Sequence, residues 1–293
     1  MIKRLWPLLI LLACGEGTGP GGSPTFVFMS KSSDTVPNEF DVYVMNSDGT
    51  HVVNLTQHVA INHEPAWSSD GSKIIFSSAG RDTTGRWHLY VMNVDGSQLS
   101  RLTFTSRSEM QPAWSPDGGK IALISNNDLY VMNADGSAIT PLVADSGIEA
   151  DPSWSPDGRI VFFSTRAASS RISGHLFVIS ANGTGLTSLG DSTTEDGSPA
   201  WSPDGTKIAF SSRRETTHSQ VWIINPDGSA PLRLTNDSTG AGGPSWSHDG
   251  TKIVFTSNRD GNVEIYEMNA DGSNQTRLTY RPTWIDIRPR WRP

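Results

Sequence analysis

The chain has 293 residues, of which 28 are glycine and 35% hydrophobic, with a single cysteine and a formal charge of −7. That net-acidic balance disfavours nonspecific binding to nucleic acid or anionic lipid. One cysteine excludes an internal disulfide and a cysteine-built zinc or iron–sulfur centre, and much glycine with few hydrophobic residues suits short strands and turns rather than helices.

The beginning of the chain stands apart in composition. Met1-Ile2-Lys3-Arg4 is a basic start, and residues 5–13 are an apolar run. The run is far shorter than the ~20 residues a spanning helix requires, so it reads as a secretory signal. Leu11-Leu12-Ala13-Cys14 resembles a bacterial lipoprotein signal. The resemblance implies that residues 1–13 are removed and that Cys14 becomes the lipid-modified first residue. Gly15 stands where some lipoproteins carry the aspartate that retains them in the inner membrane. The resemblance therefore implies an extracytoplasmic protein, on the outer membrane if the host is Gram-negative. After Cys14, residues up to 24 are Gly, Pro, Ser and Thr with one Glu, a composition that builds no core and behaves as a flexible tether.

From residue 25 to 293 the chain repeats itself. Trp67, Trp114, Trp154, Trp201, Trp246 and Trp291 are spaced 47, 40, 47, 45 and 45 residues apart. A Pro stands two residues before each, and the first five are followed by Ser-Pro-Asp-Gly or a one-residue variant of it and then by Lys-Ile-x-Phe-x-Ser or a close variant, as in Pro199–Ser212. A second motif, Leu-Tyr-Val-Met-Asn or a variant, follows each time, and then Leu or Leu-Thr. Each unit thus reads as four strands: A around the Trp, B at Lys-Ile-x-Phe, C at Leu-Tyr-Val-Met and D before Leu-Thr. In Ser-Pro-Asp-Gly, Pro presets φ at the second turn position, Asp bonds back to the backbone and Gly takes the left-handed bulge. Four-stranded units every 40–47 residues are the signature of propeller blades. The last A strand, around Trp291, has no B strand after it, and the first B strand, beginning at Phe26, has no A strand before it. Pairing the two closes the ring at six blades and removes exposed strand edges.

The consensus Pro-x-Trp-Ser-Pro-Asp-Gly-x-Lys-Ile-x-Phe-x-Ser, with Ile/Leu-Tyr-Val-Met-Asn-x-Asp-Gly behind it, resembles the propeller repeat of the TolB family. It covers all six units. The resemblance implies an all-β, six-bladed propeller, and TolB is a periplasmic component of an envelope protein system, so it also implies binding of envelope partners.

In a propeller the A strands line the axis. Three positions before each Pro stand Asn62, Glu109, Glu149, Asp196, Ala241 and Asp286; one position before stand Glu64, Gln111, Asp151, Ser198, Gly243 and Arg288. Residues two apart on a regular strand face the same way. Both sets are therefore expected as rings at one channel mouth, with the Trp on the opposite face in packing. Six carboxylates would gather there: Glu64, Glu109, Glu149, Asp151, Asp196 and Asp286. Such a mouth would take a basic peptide or a hard cation such as Ca²⁺. His63 lies near it, whereas His88, His175 and His218 fall in separate blades and do not converge. Trp87, Arg166, Arg171, Arg213 and Trp284 sit on the long loops of the same end, as residue types that dominate interfaces do.

No Gly-x-Ser-x-Gly elbow or phosphate-binding glycine loop is present. The sequence therefore points to a monomeric, non-catalytic scaffold that binds an envelope protein or peptide and meets the membrane only through its lipid. The alternative is an enzyme using the same mouth, as a metal-assisted lyase or lactonase or as a glycan hydrolase, whose chemistry needs only two carboxylates.

Overall fold

The computed structural model describes residues 24–32, 39–144, 147–166, 174–190 and 195–293. Cys14, residues 1–13, the tether up to Ser23, and Arg171 lie outside the described residues.

The described residues form 24 strands in six antiparallel sheets of four. Five sheets are consecutive in the chain. The first blade is composite: β24 (Trp284–Trp291) pairs with β1 (Phe26–Ser32), which continues to β2 (Asp41–Met45) and β3 (Val53–Asn54). Ring closure is therefore made by the C-terminal strand, which becomes the innermost strand of the N-terminal blade.

Turn chemistry explains the hairpins. In the A–B turns the Ser68, Ser115, Ser202 and Ser247 hydroxyls each bond the Asp two residues on, at 2.5 to 2.7 Å. Each serine oxygen also accepts the N–H of the lysine that opens strand B. Gly71, Gly118, Gly205 and Gly250 complete these turns with φ of 65 to 71°. Thr56, Thr103, Thr235 and Thr279, from the Leu-Thr motif, accept a backbone N–H of strand C at 2.9 to 3.0 Å and so fasten the outermost strand.

The core lies between blades rather than inside a single sheet. Six clusters fill the six interfaces, each made from two neighbouring blades. The cluster at the closure joins Phe26, Phe28, Tyr43 and Met45 of the first blade to Val254, Ile265 and Leu278 of the sixth. Burial of these side chains at ~25 cal/mol per Å² therefore depends on the ring being complete, since a blade facing solvent would expose one whole face of its sheet.

Candidate functional site: the axial channel

One backbone feature recurs in all six A strands and sets the geometry of the channel. Glu64, Gln111, Asp151, Ser198, Gly243 and Arg288, each just before the recurring Pro of its repeat, have φ between 47 and 62°. At each site the A strand carries a β-bulge: two residues oppose one on strand B. The opposed residue is Phe28, Phe76, Phe162, Phe210 or Phe255, or Leu123 in the third blade, all fully buried. The bulge interrupts the two-residue alternation on which the expectation of two co-facing rings rested, and the two sets separate.

The set three before Pro does not line the channel. Asn62, Glu109, Glu149, Asp196 and Asp286 are buried, at most 4% exposed, inside their blades. Each pairs in register with a serine at or near the end of strand B. The serine hydroxyl donates to the acidic side chain in three blades: Ser164 to Glu149 at 2.9 Å, Ser212 to Asp196 at 2.5 Å and Ser30 to Asp286 at 2.5 Å. An arginine completes each clasp, Arg166 on Glu149 (3.1 Å), Arg214 on Asp196 (2.8 Å) and Arg281 on Asp286 (3.2 Å). Arg81 and Ser78 hold Asn62 in the same way. The blade that has Ala241 borrows Asp237, which accepts from Ser257 and Arg259 at 2.6 Å each. The guanidinium planes lie over the aromatic rings of strands B and C, as Arg214 over Phe210 and Trp222. Glu109 is held differently, by His88 at 2.9 Å and by Thr103. The acidic mouth is thus corrected: four of its six carboxylates are structural ties, each bonded through at least one oxygen inside the blade.

The set one before Pro does reach the axis, where its members bond to one another. Gln111 donates from Nε2 and from its backbone N–H to Glu64, at 3.3 and 3.2 Å. Its Oε1 accepts the Asp151 N–H at 2.9 Å. Asp151 accepts from Ser198 at 3.0 Å and from Arg288 Nη1 at 2.8 Å. Arg288 also donates to Ser198. This circuit surrounds a void of only about 20 Å³, floored by Arg290, roughly the space of a single water. Charge at the axis is balanced, two carboxylates against two guanidiniums. Burial pushes the Glu64 carboxyl up, against the pull of Arg288. Burial opposes ionisation of Asp151 as well, but Arg288, Arg290 and Ser198 outweigh it and hold that group below the usual range. Asp151 in turn raises Arg288. Among the described residues no three His, Cys, Asp or Glu side chains converge as a metal site.

The rim residues divide likewise. Arg166 is a clasp. Trp284 stacks on Arg281, 3.8 Å from guanidinium carbon to ring centre, and meets Tyr43 edge-on. Trp87 packs on His63, which itself meets Phe40. Arg213 is exposed, bonded to Glu195 at 3.0 Å, and lines an open cavity of about 370 Å³ above the axial circuit. His218, Ser219, Asn258, Arg288 and the Gly240–Gly243 backbone complete that cavity. At the other end of the axis the six repeat tryptophans line a second cavity of about 250 Å³. They were expected in packing alone; they also form a channel wall.

Two features were missed that the sequence does carry. Serine followed two residues later by arginine ends strand B at Ser164, Ser212 and Ser257, which pairs each arginine with an acid upstream. Gly243 stands in register with five side-chain-bearing residues, and glycine at one member of a repeat signals a positive φ.

The family model described as TolB beta propeller domain matches residues 19–128 and 176–293. TolB from Acinetobacter baumannii superposes with a TM-score of 0.79 at 21% identity, over 92% of this chain and 67% of that one. A protein described as TolB from Agrobacterium tumefaciens gives 0.68 at 20% identity, over 93% and 100%. An oligogalacturonate lyase from Vibrio parahaemolyticus gives 0.57 at 16%, over 89% and 75%. At these identities the likeness is one of fold, and the fold accommodates both TolB proteins and enzymes. No curated protein sequence matches significantly.

The clasp of the closing strand has a pH signature. Burial, against Ser30 and Arg281, pushes Asp286 up from 3.8 to about 6. A folded-state value above the unfolded one means that the folded protein holds the proton more tightly. The stability this gives is present below about pH 4 and is lost as pH rises through about 6. Asp286→Asn, neutral throughout, should therefore gain on the wild type by about 2 to 3 kcal/mol between pH 4 and pH 7 in denaturant unfolding. A difference between the two proteins that does not change with pH would contradict this assignment.

Proposed function

The chain belongs to the TolB β-propeller family, and from that premise we propose that it is a non-catalytic, monomeric scaffold of the bacterial envelope, anchored by lipid at Cys14, that binds an extended protein segment at the 370 Å³ mouth. The mouth itself carries the reading. Its volume falls within the range of about 300 to 1,000 Å³ usual for ligand sites. Gly240, Gly242 and Gly243 line it without side chains, which leaves backbone open to a backbone, while Arg213, His218 and Asn258 offer polar contacts at its edge. Recognition there is by hydrogen bonding and shape rather than by a concentrated negative field, because the axial charges cancel and the other four carboxylates are tied. The same ties favour binding over lyase, lactonase or glycan-hydrolase chemistry: Asp151 is committed to Arg288 and Ser198, and Glu64 to Gln111.

A photo-crosslinking residue placed at Arg213 or His218 in cells is expected to capture one envelope protein, which the same residue at Leu232 does not. Leu232 is 53% exposed on the outer edge of the fifth blade. Equal capture from all three positions, or none from the mouth, would sink the proposal. For the anchor, Cys14→Ser should move the protein from the membrane to the soluble fraction with an unchanged melting temperature; its retention on the membrane would contradict lipidation.

A further inference from the structure

The cavity at the opposite end of the axis is built differently from the mouth, and it is floored by a cation. The residue between Pro and Trp in each repeat is Ala66, Ala113, Ser153, Ala200 or Ser245 in five blades and Arg290 in the sixth. All six line the cavity together with the six tryptophans. Five small side chains leave space at the axis, and the closing strand sends one guanidinium into it.

That guanidinium is under-used. Among the described residues it has no carboxylate within ion-pair distance, and its one hydrogen bond is to the Pro244 carbonyl at 3.4 Å. A guanidinium carries five N–H donors. Asp151 is engaged by Arg288 at 2.8 Å, so Arg290 feels it, and Glu64, only from further off. Burial, and then repulsion from Arg288, pushes Arg290 down to about 10, the direction expected of a cation that lacks a close counterion. The wall does not supply an acceptor: the Trp67, Trp154 and Trp246 indole N–H groups each bond a carbonyl of the neighbouring A strand at 3.0 to 3.1 Å, and among the described residues those of Trp114, Trp201 and Trp291 are buried without one. The turn aspartates of the same end do not compete for the cation, since Asp70, Asp117, Asp157, Asp204 and Asp249 are each occupied by the serine two residues before.

We propose that this tryptophan-lined cavity binds a small carboxylate with an apolar or aromatic body, the carboxylate on Arg290 and the body against the indoles. Arginine meets a carboxylate through two parallel N–H bonds, and indole faces supply apolar area of the right kind for a ring. A volume of about 250 Å³ admits a single-ring acid or the terminal residue of a peptide, not a longer segment. The site is separate from the mouth, so its failure and that of the scaffold proposal are distinguishable.

The test is calorimetric titration of the purified full chain with benzoate, benzamide and inorganic phosphate. Saturable benzoate binding is expected, at least tenfold weaker for Arg290→Gln, and at least tenfold tighter than benzamide or phosphate. Ala113→Phe, which fills the cavity and leaves Arg290 in place, should abolish binding too, and it keeps the test valid if Arg290→Gln melts early. Absence of benzoate binding to the wild type would overturn the proposal, as would binding unchanged in Ala113→Phe or phosphate binding as tightly as benzoate. A tripeptide ending in phenylalanine separates the sources. Binding of its free acid but not its amide identifies a protein C-terminus, and binding of benzoate alone identifies a free organic acid; either supports the site.

Discussion

Every polar feature of this channel depends on one backbone constraint, the positive φ of the residue that precedes proline in each innermost strand. Five of the six residues there are not glycine. A side chain in the left-handed region costs of the order of 1 to 2 kcal/mol, and proline further restricts the residue before it. The ring returns hydrogen bonds for that strain: the bulge turns Glu64, Gln111, Asp151, Ser198 and Arg288 onto the axis, where they bond each other across blade boundaries. Contacts between residues of different blades exist only when the ring is closed, so strain and closure stabilise one another.

The same bulge explains why acidity in this chain is not an acidic surface. Upstream of it, the carboxylates turn inward; Glu149, Asp196 and Asp286 meet a strand-B serine and an arginine, and Glu109 meets His88 and Thr103. A buried carboxylate without such partners would be strongly destabilising. Where the acid is missing, at Ala241, Asp237 reaches the same serine and arginine from the preceding loop. A buried partner for this position therefore recurs in every blade, supplied by whichever residue is near. What remains for ligands is what the clasps and the circuit leave open: a glycine-lined mouth at one end and, at the other, a tryptophan-walled cavity with one guanidinium.

The fold was readable because its signals are local and repeated. Ser-Pro-Asp-Gly and Asn-x-Asp-Gly each specify a turn by their own chemistry, and the split repeat between Trp291 and Phe26 announces closure. The site was readable only in part. Position in the repeat did pick out Glu64, Gln111, Asp151, Ser198 and Arg288 as an axial set. It misplaced Glu109, Glu149, Asp196 and Asp286, because a strand's alternation can be projected from sequence only where no bulge intervenes. Arg166 and Trp284 carry the composition of an interface but are held within the fold, Arg166 by Glu149 and Trp284 against Arg281. Arg290 was passed over since its position in the repeat otherwise holds alanine or serine.

The bulge is tested most directly at Gly243, where a new side chain would meet only ordinary contact, the Thr256 hydroxyl at 3.7 Å. Space is not the obstacle there, so the effect of Gly243→Ala on unfolding free energy reports the backbone conformation alone. The account predicts a loss of about 1 to 2 kcal/mol. Unchanged or increased stability, as alanine gives in a regular strand, would contradict it.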